Sequence, residues 1–397
     1  MNTYTNAEIA RIFKVTKATV THWLSNATNK ENSLELVTNI NKVQVIRNEH
    51  NLAELTRLKE LGQKHKNKSD LSVTSPDPKF YEYFTKSQVI EIINSLKTSK
   101  SLSLKYTYID GGAKIWNEYH SEAMENGQYP ATKKESKMLC QSYEYLRDRL
   151  ESFDKVNVID VGPGNSFLVK DFIEKLRKDK KIDKYIAVDI SKDMNDISKA
   201  SINTWFPDLK FLSYVRDIET ESIADVLFEN KQEGKIANII IFGGGTLGSM
   251  PDRIQVLKNF RASLDENDIL LLTTKLDMVT ERVELSHVKD KFSRLLWVPK
   301  LLGIDTDKCD VIRRYNEQIK AKSAYLILDK DYEIEFETNG VVSKILLSKG
   351  EEIFIWQFHM STLEELLAEM SSVKLKIVQL LTEKNYEYIL VSCESSN

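Results

Sequence analysis

The chain has 397 residues, 41% of them hydrophobic and 29% charged, the balance of a globular protein long enough for two or three domains. A net charge of −3 excludes a uniformly basic nucleic-acid coat, though not a local basic module. Cys140, Cys309 and Cys393 are far apart and odd in number, with neither metal-ligand nor disulfide-framework spacing. With no apolar leader after Met1 and no apolar run near the ~18 residues of a membrane span, a cytoplasmic, metal-free protein away from membranes is expected.

Residues 5–26 carry two short helical patterns. Thr5 or Asn6 can cap the first, with Ile9, Ala10 and Phe13 inside. Thr16 caps the second, with Val20, Trp23 and Leu24 inside. The pair resembles the helix-turn-helix that opens many bacterial regulators, with Lys17, Thr19, Thr21 and His22 as expected DNA contacts on the exposed face. The turn of such a motif favours glycine where Lys14 stands. Residues 1–70 hold eleven Lys and Arg against seven Asp and Glu, a local +4 that suits phosphates of double-stranded DNA; protein docking is the other reading. Leucines at 34, 36, 52, 55, 58 and 61 predict helix over 33–63, either a homodimerising helix or one packed on the first module. A linker is expected from the basic run at 64–68 to Pro78.

A new unit begins near Lys79. Thr85 opens a helix with Val89, Ile92, Ile93 and Leu96 inside. Tyr106 and Tyr108 stand beside Gly111 and Gly112, with Tyr129 in a later segment, and this tyrosine cluster fits either a pocket wall or a core turn. The run Val156–Val161 is a β-branched strand ending in Gly162-Pro163-Gly164-Asn165-Ser166, with an amphipathic helix after it. Strand, glycine turn and helix together let a nucleotide-like ligand approach the backbone and the helix amides. Further apolar runs end at Asp189, at Asp217, at Gly243-Gly244-Gly245-Thr246 and at Thr273, alternating with helices, as in a parallel sheet buried on both faces. Ligands of such sheets bind at the carboxyl ends of the strands, where all these residues fall.

Phe167 stands where a dinucleotide fingerprint needs its third glycine, and no P-loop lysine is present. Asp160 with the adjoining G-P-G instead resembles class I methyltransferases, which bind S-adenosyl-L-methionine. That resemblance implies cofactor contacts from Asp160, Gly162, Gly164, Ser166, Asp189 (ribose), Asp217 (adenine), Gly243 and Gly244. The terminal runs 375–382 and 386–392 make the hairpin that closes such sheets. Between Leu276 and about Met360 lies an insertion, expected to begin helical around Trp297 and to end as antiparallel strands near 324–328, 332–337, 341–347 and 353–358.

Three segments carry a narrower resemblance over roughly 80–397. Lys105–Trp116 matches K-Y-F-Y-D-x-x-G-S-x-L-F, Tyr129–Glu135 echoes Y-P-T-R-x-E, and Gly244–Ser249 echoes G-S-T-I-G-N. These are segments of the histidine-specific S-adenosylmethionine-dependent methyltransferases of ergothioneine biosynthesis. The resemblance implies that Tyr108 positions the substrate amine. Ser249 replaces the family's carboxylate-binding Asn, and Trp356 and Phe358 replace the Glu and Ser that recognise the imidazole. The acidic A-Y-D-D segment is missing. A site that loses such polar partners loses its discrimination for their ligand.

The expected fold is therefore α/β: a class I, Rossmann-like methyltransferase sheet (151–280 and 361–397), substrate elements at 80–150 and 281–360, and an all-α helix-turn-helix module at 1–70 joined by a linker at 71–79. The expected function is methyl transfer to a small-molecule or peptide amine other than histidine, with Tyr108, Tyr129 and Thr246 at the reacting end and Ser249, Trp356 and Phe358 against the substrate. The alternative is a DNA-binding regulator that senses S-adenosylmethionine without turnover.

Overall fold

The computed structural model describes residues 3–28, 34–39, 42–66, 71–127, 130–231, 235–277, 286–287, 293–338, 340–383 and 385–395. The chain divides into two units, 1–72 and 73–397.

In the first unit, helix Asn6–Ile12 starts on a capping box in which Thr5 and Glu8 exchange bonds, and helix Lys17–Thr28 starts with the Thr16 hydroxyl accepting from the Thr19 amide at 3.1 Å. Lys14 takes φ 53°, the left-handed conformation that favours glycine at this turn. The rest of the unit corrects the all-α expectation. Leu36–Asn39 and Lys42–Ile46 are antiparallel strands, joined by Thr3–Tyr4 in a three-stranded sheet, and helix begins only at Glu49. β-Branched residues at 37, 38, 43, 45 and 46 outweigh the leucine spacing that suggested one helix. Asn51 is fully buried and locks the hairpin to the helix start. Its Nδ2 donates to the Glu35 and Ile46 carbonyls, both at 2.9 Å, and its Oδ1 accepts from the Glu35 amide at 2.7 Å. Leu34 and Leu55 are buried with Ile9, Phe13, Val20, Trp23 and Val45, so these leucines serve the unit's own core rather than a dimer seam. The side chain of Leu61 lies outside the described residues.

The second unit is built on a seven-stranded sheet: β1 (Lys155–Val161), β2 (Ile182–Asp189), β3 (Lys210–Val215), β4 (Ile236–Phe242), β5 (Ile269–Lys275), β6 (Leu375–Thr382) and β7 (Tyr388–Ser395). The spatial order is β6-β7-β5-β4-β1-β2-β3, parallel except for β7, which is antiparallel to both neighbours. β1, β4 and β5 are buried almost throughout, as continuous Val, Ile and Leu runs require. Chain order reverses between β1 and β4, so a crevice opens above their carboxyl ends. Helix Pro130–Arg149 packs on this sheet: Met138, Leu139, Tyr143 and Leu146 share one core with β1, β2 and β4.

Residues 80–109 and 295–355 share a different core. Phe80, Ile92, Leu96 and Tyr106 from the first segment meet Leu302, Val311, Tyr332 and Ile353 from the second. The insertion holds the antiparallel strands expected from its sequence, plus strand Asp310–Asn316, which alternation alone did not reveal because Arg313 and Arg314 break it. The stretch 71–79, read as a linker, holds strand Leu71–Thr74 and the start of helix Pro78–Tyr83. Among the described residues no helix is long and apolar enough to cross a membrane.

Candidate functional site

A cavity of about 400 Å³ opens over the carboxyl ends of β1–β4, within the size range of small-ligand sites. Gly162, Gly164, Asp160, Asp189, Asp217, Gly243 and Gly244 all line it, as do Tyr108, Thr246, Ser249, Trp356 and Phe358 from later or earlier parts of the chain.

The glycine turn is shaped by its neighbours. Gly162 and Gly164 have φ 69° and 54°, and a Cβ on Gly164 would stand 2.6 Å from the Trp116 ring. Asp160 accepts from the Tyr185 hydroxyl at 2.7 Å, and Asp189 accepts from the Ser191 amide at 2.9 Å. Burial pushes both carboxyls up to about 7, and for Asp160 the charge of Asp189 adds to the rise. Two carboxylates with so little water need hydrogen-bond donors, which a ribose diol and an ammonium group supply. At the end of β3, Asp217 accepts from Lys105 Nζ at 3.0 Å and from the Glu219 amide at 3.0 Å. Lys105 also lies 3.4 Å from Glu91 and 3.7 Å from Glu219.

Ser166 is a correction. Its side chain is fully buried beneath the turn, bonded to the Tyr185 and Ser198 hydroxyls at 3.0 and 2.7 Å, and does not line the cavity. It supports the turn at φ 62° and leaves Asp160's partner Tyr185 fixed. Thr246 lines the cavity, but its hydroxyl donates to the Gly243 carbonyl at 2.7 Å, so only its lone pairs face a ligand. Tyr129 lies outside the described residues.

Trp356 and Phe358 alternate onto the same face of strand Glu352–His359, beside an irregularity in pairing that leaves Ile355 without a partner opposite Ala324 and Tyr325. Their rings stack at 6.3 Å with planes 15° apart. Phe358 presses on the strand-four loop so closely that a Cβ on Gly248 would come within 2.9 Å of its ring.

Sequence reasoning gave no role to Glu135, which organises this loop. Wholly buried, it accepts from the Gly244 amide at 2.9 Å and from the Thr273 hydroxyl, and burial raises its carboxyl. Its only signal was the final acid of the Tyr129–Glu135 segment. Also unforeseen were His120 stacked on Trp116 at 4.8 Å, and Arg294, with its guanidinium 4.4 Å from the Tyr119 ring centre. Both His120 and Arg294 line the cavity. Among the described residues no group of three or more His, Cys, Asp or Glu side chains could hold a metal ion.

The sheet order, the glycine turn and the acids ending β1, β2 and β3 fit S-adenosylmethionine. Of solved structures, the chain is similar to an S-adenosylmethionine-dependent methyltransferase from Clostridium acetobutylicum ATCC 824, with 13% identity, a TM-score of 0.41, and coverage of 71% of this chain and 99% of that one. It is also similar to DesVI of Streptomyces venezuelae, with 12% identity, a TM-score of 0.37, and coverage of 70% and 98%. These likenesses are too distant to bear on substrate. No curated protein matches the chain. The description "histidine-specific methyltransferase, SAM-dependent" matches residues 87–395, more than three quarters of the length, and the chain belongs to that family of S-adenosylmethionine-dependent methyltransferases.

Proposed function

We propose that this methyltransferase acts on a small-molecule or peptide amine other than histidine. The observation that carries the reading is the Trp356–Phe358 stack, which stands where the family's resemblance implies polar partners for an imidazole. Two parallel rings favour a flat or apolar acceptor and offer no hydrogen bonds to imidazole nitrogens. Ser249, shorter than the Asn it replaces, leaves the carboxylate end of a histidine with a weaker partner.

S-adenosylmethionine supplies an electrophilic methyl group on its sulfonium. The chain's residues align the acceptor and keep water out. Asp189 takes the ribose hydroxyls, Asp217 the adenine amine, and the Gly162–Gly164 turn with Gly243 and Gly244 the amino-acid end. Tyr108, on the turn Leu104–Tyr108, orients the acceptor amine, which attacks in its neutral form. His120 is a weak base: its Nδ1 lies 3.2 Å from the Asn165 side-chain amide, and burial, with the charge of Arg294, pushes its pKa down to about 4. Release of S-adenosylhomocysteine on adding candidate acceptors tests this reading against a sensor that leaves the methyl in place.

We propose also that the N-terminal unit contacts duplex DNA. In support, Lys17, Thr21 and His22 are exposed on helix Lys17–Thr28, the turn at Lys14 has the backbone the motif needs, and the unit carries the local +4. Thr19 contributes less, since its hydroxyl is shared with Thr16 at 2.9 Å. For the full chain, affinity for a duplex is expected to fall at least tenfold between 50 and 200 mM salt, given roughly three to six phosphate contacts. Binding that is absent, or unchanged by salt, would contradict this.

A further inference from the structure

The sheet order sets which way the cofactor lies. Asp189, at the end of β2, is the ribose partner in the reading above, and Asp217, Ile218 and Glu219 line the cavity beyond it at β3. The amino-acid end then lies over the β1 turn and the β4 loop. That end carries an ammonium and a carboxylate, and Asp160 at the end of β1 suits the ammonium. The carboxylate needs a cation or strong N–H donors.

Among the described residues, three lysine or arginine side chains line the cavity: Lys105, Arg216 and Arg294. Lys105 is held among Glu91, Asp217 and Glu219, and Arg216 bonds Asp225 at 2.7 Å, both at the β3 side. Arg294 sits elsewhere. It packs over Tyr119, the residue before His120 on helix Gly111–Glu125. His120 in turn stacks on Trp116, the ring that crowds Gly164. The Asn165 side-chain amide lies 3.2 Å from His120 Nδ1 and 3.2 Å from the Asn117 side-chain oxygen. An NH₂ group only donates, so Nδ1 accepts, and the neutral ring carries its proton on Nε2. The Arg294 guanidinium and the His120 imidazole thus line one cavity, with His120 directly beside Asn165, the residue that follows the glycine turn.

We infer that Arg294 and His120 bind the methionine carboxylate of S-adenosylmethionine, with Trp116 and Asn165 fixing the imidazole. The inference rests on the ribose assignment to Asp189. Arg294 is the specificity determinant, since a planar guanidinium matches a carboxylate in a paired contact that a lysine makes only as a point charge.

Calorimetry on the full chain tests this with two ligands, S-adenosylmethionine and its decarboxylated analogue. The wild type should prefer the carboxylated ligand by about tenfold to a hundredfold, the range of charged hydrogen bonds. Arg294→Gln should bring the two affinities within about threefold of each other by weakening only the carboxylated ligand, and Arg294→Lys should restore part of the preference. His120→Phe, which keeps an aromatic ring on Trp116, should reduce the preference severalfold. Equal affinities in the wild type, or an Arg294→Gln variant that weakens both ligands alike, would overturn the inference and leave Arg294 a scaffold residue. Loss of preference in Asp189→Ala with Arg294 intact would overturn the ribose assignment beneath it instead.

Discussion

Asp189→Ala is expected to weaken S-adenosylmethionine binding about a hundredfold, the effect of losing two charge-assisted hydrogen bonds to ribose hydroxyls. The argument is electrostatic. Asp189 is half-buried at the cavity wall, and desolvation pushes its carboxyl up to about 7, so before a ligand binds this acid titrates near neutrality. Ligand hydroxyls stabilise the charged form. Affinity should therefore rise as pH climbs from 6 to 8, by about tenfold for one acid of this kind. The folded protein behaves oppositely. The native carboxyl holds its proton up to about 7, whereas the unfolded one releases it near 3.8, so stability of the free protein falls as pH rises through that window. Calorimetric titration at several pH values, with melting curves of the free protein alongside, checks both signs. An Asp189→Ala variant that binds within threefold of the wild type would remove Asp189 from the cofactor site.

Glu135→Ala is expected to destabilise the protein by about 1–3 kcal/mol and to loosen the strand-four loop, because it leaves the buried Thr273 hydroxyl and the part-buried Gly244 amide without their acceptor. The Gly244 amide and the Thr273 hydroxyl both point at this one carboxylate, and Gly244 lines the cavity. Glu135→Gln keeps an acceptor oxygen in nearly the same shape, and burial already favours the uncharged form of the acid. The Gln variant should therefore recover most of the stability. Denaturant unfolding of the two variants separates the readings: an Ala variant as stable as the wild type would show that the clasp contributes nothing.

The carboxyl ends of the strands were legible because each is marked locally. A run of Val, Ile or Leu closes on Asp189, Asp217 or Gly243, and β4 begins and ends where its apolar run does. What escaped were partners joined only by the fold. Lys105 meets Asp217 across 112 positions, and Glu135 meets Gly244 across 109. No spacing rule connects such pairs. Ser166 was misplaced for a related reason: a serine after a glycine turn suits a ligand, but Tyr185 and Ser198 claim it first. In the N-terminal unit the leucine spacing suggested one helix, yet Asn51, buried with three backbone bonds, fixes the hairpin that interrupts it.

The acceptor is the central question, and labelled methyl transfer answers it most directly. The chain is incubated with S-adenosylmethionine carrying a deuterated methyl group, once with L-histidine as sole acceptor and once with a small-molecule extract, and products are resolved by mass spectrometry. The account predicts S-adenosylhomocysteine and a labelled amine from the extract, with no labelled histidine. Labelled methylhistidine at a comparable rate, or an absence of S-adenosylhomocysteine under every condition, would contradict it.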